Sequence, residues 1–69
     1  MPNHTYKHIE ITGSSTRSSD DAISSAIAAA AETLDHLHWF QVVETRGFIE
    51  DGKVKHWQVT LKAGFRLDR

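Results

Sequence analysis

The stretch WFQVVETRGFIEDGKVKHWQVTLKAGFRL, residues 39–67, decides the fold. From Trp39 to Phe48 its side chains alternate. Phe40, Val42, Glu44 and Arg46 fall on one face, and Trp39, Gln41, Val43 and Thr45 on the other. Asp51-Gly52 follows, a two-residue turn signal, because Gly accepts positive φ at no cost and Asp tolerates it. A second alternating run extends from about Lys53 to Leu67. Trp57, Val59, Leu61, Ala63, Phe65 and Leu67 share one face, while His56, Gln58, Thr60, Lys62, Gly64 and Arg66 share the other. Period-two patterning on both sides of such a turn predicts an antiparallel hairpin. With no bulge, the turn pairs Glu50 with Lys53, Thr45 with Gln58, Val43 with Thr60, Gln41 with Lys62 and Trp39 with Gly64.

Upstream of the hairpin, Ile23, Ile27, Ala30, Leu34 and Leu37 recur at intervals of three or four. That spacing draws one apolar stripe along a helix from about Ser19 to His36. Ser18 and Ser19 offer cap hydroxyls at its start, and Asp20 and Asp21 place negative charge near the first-turn amides. Ala22, Ala26 and the run Ala28–Ala31 favour helix and allow close approach by a sheet. Before the helix, Tyr6 to Thr12 alternates again, with Lys7, Ile9 and Ile11 opposite Tyr6, His8, Glu10 and Thr12. Gly13 to Ser19 is small and polar and predicts a loop. The order is β-α-β-β, an α+β chain with no internal repeat or linker and one domain over residues 1–69.

The chain has 69 residues, no cysteine, 39% apolar and 25% charged residues, and a formal net charge of −1. Without disulfides or thiolate metal sites, so short a chain buries only about 60% of its unfolded surface. Oligomerisation is the usual remedy. The near-neutral charge gives no electrostatic reason to expect nucleic acid or an anionic membrane as partner. Ile27–Ala31 is too short to span a bilayer, and Met1-Pro2-Asn3-His4 has neither the basic nor the apolar region of a secretory signal. The expected location is cytoplasmic.

Strand and helix lengths carry a further expectation. A second hairpin strand of this extent reaches roughly 50 Å, whereas the helix covers only about 27 Å. One helix leaves part of the apolar face uncovered, near Trp57 or near Phe65 and Leu67, and another chain must cover it. On the polar face, Trp39 beside Gly64 leaves room for a flat partner, so its indole is a candidate stacking platform. The competing assignment places Trp39 at the helix–strand junction or in a subunit contact.

Three functional classes find little support. The five histidines include no His-Glu-x-x-His arrangement, so no metal ligand set is assigned. No Gly-x-Ser-x-Gly, phosphate loop, cysteine nucleophile or carboxylate pair is present, so the chain is not expected to be an enzyme. Nucleic-acid stacking on Trp39 and Phe48 lacks the basic patch it requires.

The passages Leu37-His38-Trp39-Phe40-Gln41-Val42 and His56-Trp57-Gln58-Val59-Thr60-Leu61-Lys62, the closing Gly64-Phe65-Arg66-Leu67 and the β-α-β-β order together resemble the dodecins, particularly bacterial ones. The resemblance covers nearly the whole chain. It implies a three-stranded antiparallel sheet wrapped around one helix, assembling into a hollow homododecamer. It further implies flavin (FMN or riboflavin) stacked at subunit interfaces on Trp39, with Gln58 bonding the isoalloxazine edge. Flavin storage, buffering or photoprotective sequestration is the implied role, with coenzyme A a second ligand of some bacterial members. Arg46 and Arg66 match basic positions of those members and suit phosphate oxygens of FMN or coenzyme A. A surface ion pair with Glu44 or Glu50 is the ordinary alternative for them. In the bulge-free register Trp39 and Gln58 are about 20 Å apart. One flat subunit cannot bring both to one ring, so a bent sheet or a second chain is needed. The alternative to a flavin protein is a structural homo-oligomeric interaction module.

Overall fold

The structure is a computed structural model and describes residues 3–67. Strand β1 (Tyr6–Ser15), helix α1 (Ser19–Ala31), strand β2 (Leu37–Glu50) and strand β3 (Lys53–Arg66) follow in that order. They form one antiparallel sheet of order β1-β3-β2, elongated to 54 × 20 × 15 Å. The hairpin turns where expected. Asp51 and Gly52 both take positive φ, 53° and 74°, the combination a two-residue primed turn requires.

Helix α1 begins at its Ser18 cap, whose hydroxyl accepts the Asp21 amide at 3.0 Å. Ser15 Oγ accepts the Arg17 amide at 2.9 Å and donates to Asp21 Oδ2 at 2.6 Å, tying the end of β1 to the first helical turn. Gly13–Ser15 therefore belong to β1, and the loop is shorter than the sequence pattern predicts.

The helix also ends earlier than expected, at Ala31 and not His36. The amides of Thr33 and Leu34 both bond back to Ala30 O, and His36 then takes φ 65°, reversing the chain into β2. Leu34 lies in the connection and Leu37 opens β2, both half-buried, so the apolar stripe continues past the point where the helix ends.

The core lies between α1 and the inner face of β1 and β3. Ala22, Ala26, Val59 and Leu61 are its buried members, with Ile11, Ile23 and Ile27 packed against them. Gly13 allows this close seating. A Cβ there would run into Ala22 O and approach Ala26 Cβ to 2.8 Å. Because β3 is the central strand, α1 covers β1 and β3 and leaves the inner face of β2 open. Phe40, Val42 and Ile49 are exposed there, Ile49 to 79%, as is Val54 opposite Ile49 on β3. The uncovered apolar surface thus runs along β2 to the hairpin tip, while Phe65 and Leu67 are half-buried.

Three irregularities modify the hairpin register. Trp39 pairs with Gly64 and Gln41 with Lys62, as a bulge-free turn requires. Val43, however, is an extra residue in β2, so Glu44 and not Val43 faces Thr60, and Arg46 and not Thr45 faces Gln58. Lys55 is a compensating extra residue in β3, and His38 is another in β2. A one-residue insertion flips every following side chain to the opposite face. Glu44 and Arg46 therefore leave the face of Phe40 and Val42 and join Trp39, Gln41 and Gln58.

Candidate functional site

The outer face of the sheet, away from α1, collects all four candidate residues. Reading across β1, β3 and β2, its rungs are Tyr6–Arg66, His8–Gly64–Trp39, Glu10–Lys62–Gln41, Thr12–Thr60–Glu44 and Ser14–Gln58–Arg46. A 3.0 Å hydrogen bond between the Thr12 and Thr60 hydroxyls marks the shared face. The Val43 bulge is what brings Arg46 onto it.

Trp39 and Arg66 belong to one end of this face. The indole lies flat on Gly64: a Cβ at Gly64 would collide with Cε2 and Cζ2 and stand 2.6 Å from Cδ2. The sequence pattern predicts that the missing side chain leaves room for a partner, but Trp39 itself fills that room. What it offers a partner is its outward ring face, and the residue remains 37% exposed. Arg66 stands one same-face step from Gly64, about 7 Å along β3. Its amide donates to His36 O at 3.1 Å, closing this end of the sheet.

Gln58 and Arg46 sit at the other end, directly opposite each other. Arg46 donates to Glu44 Oε1 at 2.8 Å, with both side chains about half exposed. A pair so exposed contributes about 0–1 kcal/mol, so a phosphate can take the guanidinium from it at little cost. Beyond them Phe48 stacks on His56 with centroids 4.4 Å apart.

Gly64 and Gln58 are six residue steps apart along β3, about 20 Å of extended chain. The chain therefore brings Trp39 together with Arg66, and Gln58 together with Arg46, but not the two pairs with each other. The cavity that Trp39 shares with Ile27, Leu37, His38, Phe40 and Ala63 holds about 120 Å³ and lies on the helix side of the sheet, so it is not the open side of the platform. On the outer face the indole has Gly64 beneath it and is 37% exposed, with no wall above it from its own chain. One chain can present a planar ligand with a platform but cannot enclose it.

Three neighbours of the platform escape a reading of the hairpin alone. His8 lies 6.1 Å from Trp39 between ring centroids, and Tyr6 meets His38 edge-on at 5.4 Å. The signal for His8 and Tyr6 is the alternation of β1, which places both on the polar face. Only the β1–β3 pairing shows that His8 lands beside Gly64. Among the described residues no cluster of three or more His, Asp or Glu side chains forms a metal site. Nor is any described helix long and apolar enough to cross a membrane.

A small sheet-and-helix chain with an open indole at one end of its outer face, one step from Arg66, has the architecture of a small binding protein and none of the enzyme motifs sought above. The dodecin family model matches residues 5–68. The dodecin of Thermus thermophilus is 48% identical over 63 residues, 91% of each chain. The solved dodecin of Streptomyces coelicolor is 51% identical and superposes with a TM-score of 0.91 over 100% of this chain and 99% of its own. A solved Thermus thermophilus variant with tryptophan changed to phenylalanine is 43% identical, with a TM-score of 0.90 over 97% of this chain and 100% of its own. That protein has also been solved with either of two arginines changed to alanine. This chain belongs to the dodecin family, whose members are small flavin-binding proteins.

Proposed function

We propose that this protein sequesters riboflavin or FMN by stacking the isoalloxazine on the outward face of Trp39. The observation that carries this reading is the indole itself. It springs from β2, lies flat across Gly64 of the central strand β3, and is open above. Such a surface supplies planar contact area with few rotors to freeze. Gln58 bonds the ring edge from a neighbouring subunit, since an amide offers both donor and acceptor and its own Trp39 is out of reach. Arg46 and Arg66 serve the phosphate of FMN, and the same guanidinium chemistry suits coenzyme A. The uncovered apolar strip from Phe40 to Val54 is closed by further copies in a cytoplasmic homododecamer. The ligand is stored and shielded, not turned over. The positions changed in the Thermus thermophilus variants, one tryptophan and two arginines, are of the residue types found at Trp39, Arg46 and Arg66.

Titration of riboflavin and FMN fluorescence against the parent protein and Trp39→Ala, with oligomer size checked for both, tests the proposal. Saturable quenching lost in the variant is expected. An intact oligomer that quenches neither flavin would leave the interaction module as the better description.

A further inference from the structure

We infer that His8 is a second ligand-contacting residue of the Trp39 platform and helps to set which edge of the flavin lies over β1; this rests on the flavin reading above. Three observations place it there. His8 and Trp39 flank Gly64 on one rung, from opposite neighbouring strands. Gly64 has no side chain to separate them, and the indole leans across it, bringing the ring centroids to 6.1 Å. The planes are inclined at 46°, so the imidazole does not extend the indole as a continuous floor. It rises beside it as a curb, and both residues are exposed on the outer face.

The size of the ligand makes the curb matter. An isoalloxazine has three fused rings and an indole two, so a flavin centred on Trp39 overhangs it by about half a ring at each end. On the β1 side the overhang meets His8. A neutral imidazole carries one ring N–H and one bare ring nitrogen, and can donate to or accept from a heterocyclic edge. The dimethylbenzene edge of the flavin offers it no such partner. His8 therefore favours the pyrimidine edge of the flavin on its side.

The test is a riboflavin fluorescence titration of the parent, His8→Leu and His8→Gln at matched oligomer size, joined to the ring NMR signals of His8 in the parent. Quenching is expected in all three, because Trp39 is untouched. The dissociation constant should rise roughly three- to tenfold in His8→Leu. It should return most of the way in His8→Gln, which restores a hydrogen-bonding edge but not a ring. The His8 ring signals should shift over the same riboflavin range as the quench. If His8→Leu binds within a factor of two of the parent, or if the ring signals stay fixed while quenching saturates, this inference falls and the stacked flavin stands. If the parent does not quench at all, both fall together. Should His8→Leu fail to assemble, the ring signals of the parent decide alone.

Discussion

Gly64→Ala separates the stability of the sheet from the competence of the platform. Gly64 has no positive φ, so alanine fits the backbone, and a strand gains slightly in rigidity from the exchange. The added methyl has nowhere to go while Trp39 keeps its place, since it would collide with Cε2 and Cζ2 and stand 2.6 Å from Cδ2. Carbon atoms rest ~3.5–4.0 Å apart, so the indole must lift by about 1 Å or more, or swing off the rung. The obstacle is an exposed side chain and not backbone, so the cost to the fold should be about 1–2 kcal/mol, at the low end for overpacking. For a chain of this size that lowers Tm by roughly 4–16 °C. Flavin binding should suffer more, because a tilted indole no longer presents its face parallel to the sheet. We expect at least a tenfold loss, about 1.4 kcal/mol. The assay is riboflavin quenching on variant protein of confirmed oligomer size, with thermal melts at matched protein and no ligand, because bound flavin would itself raise Tm. Parent-like affinity in a folded Gly64→Ala protein would refute the reasoning: the ligand would not be resting on an indole seated on Gly64.

Gly13→Ala should do the reverse of Gly64→Ala in kind. Its methyl meets the Ala22 carbonyl and Ala26 Cβ, so helix and sheet must part, and a loss of about 2–3 kcal/mol is expected in urea or thermal unfolding. Ser18→Ala removes the acceptor of the Asp21 amide and should cost about 1 kcal/mol, measurable as a shift in the urea midpoint at constant slope. Arg46→Gln removes a cation from the Gln58 end but leaves Trp39 intact. It should weaken FMN more than riboflavin, with the difference shrinking as salt is raised, and equal losses for both ligands would argue against a phosphate contact.

Much of this architecture was legible because it is local. The two-residue turn at Asp51-Gly52, the alternation along β3 and the Ser18 cap each depend on a few adjacent residues. What escaped depends on residues far apart or on backbone states that composition does not mark. The apolar stripe runs through Leu34 and Leu37 without a break, so nothing in its period reveals that the chain leaves the helix after Ala31. The reversal lies in the backbone of His36. Val42 and Val43 are identical, so polarity cannot say which is paired and which is the bulge. That one ambiguity decided the face assigned to Arg46. The seating of Trp39 on Gly64 was half visible: the pairing followed from the turn, but not the indole lying down across the glycine. His8 could be put on the right face from β1 alone, yet its place beside Gly64 needed the long-range pairing of β1 with β3.

The distribution of the candidate site over one face has a thermodynamic consequence under the flavin reading. Trp39 and Gln58 are separated by about 20 Å within a chain, so a ligand touching both must bridge two copies. Any ligand that binds the assembled form and not the separate chain stabilises assembly by mass action, by about 2.7 kcal/mol at a hundredfold excess over its dissociation constant. Under the same reading, the uncovered strip along β2 would supply the apolar area that joins copies without ligand, and the polar face the part that ligand reinforces. The two surfaces lie on opposite sides of the same three strands. Hence an apolar-to-polar change at Ile49 acts on assembly first and on binding only through it. A change at Trp39 acts in the opposite order. The Val43 bulge connects the two: it keeps Val42 with the inner strip while turning Glu44 and Arg46 outward, so one extra residue lets a single strand serve both faces.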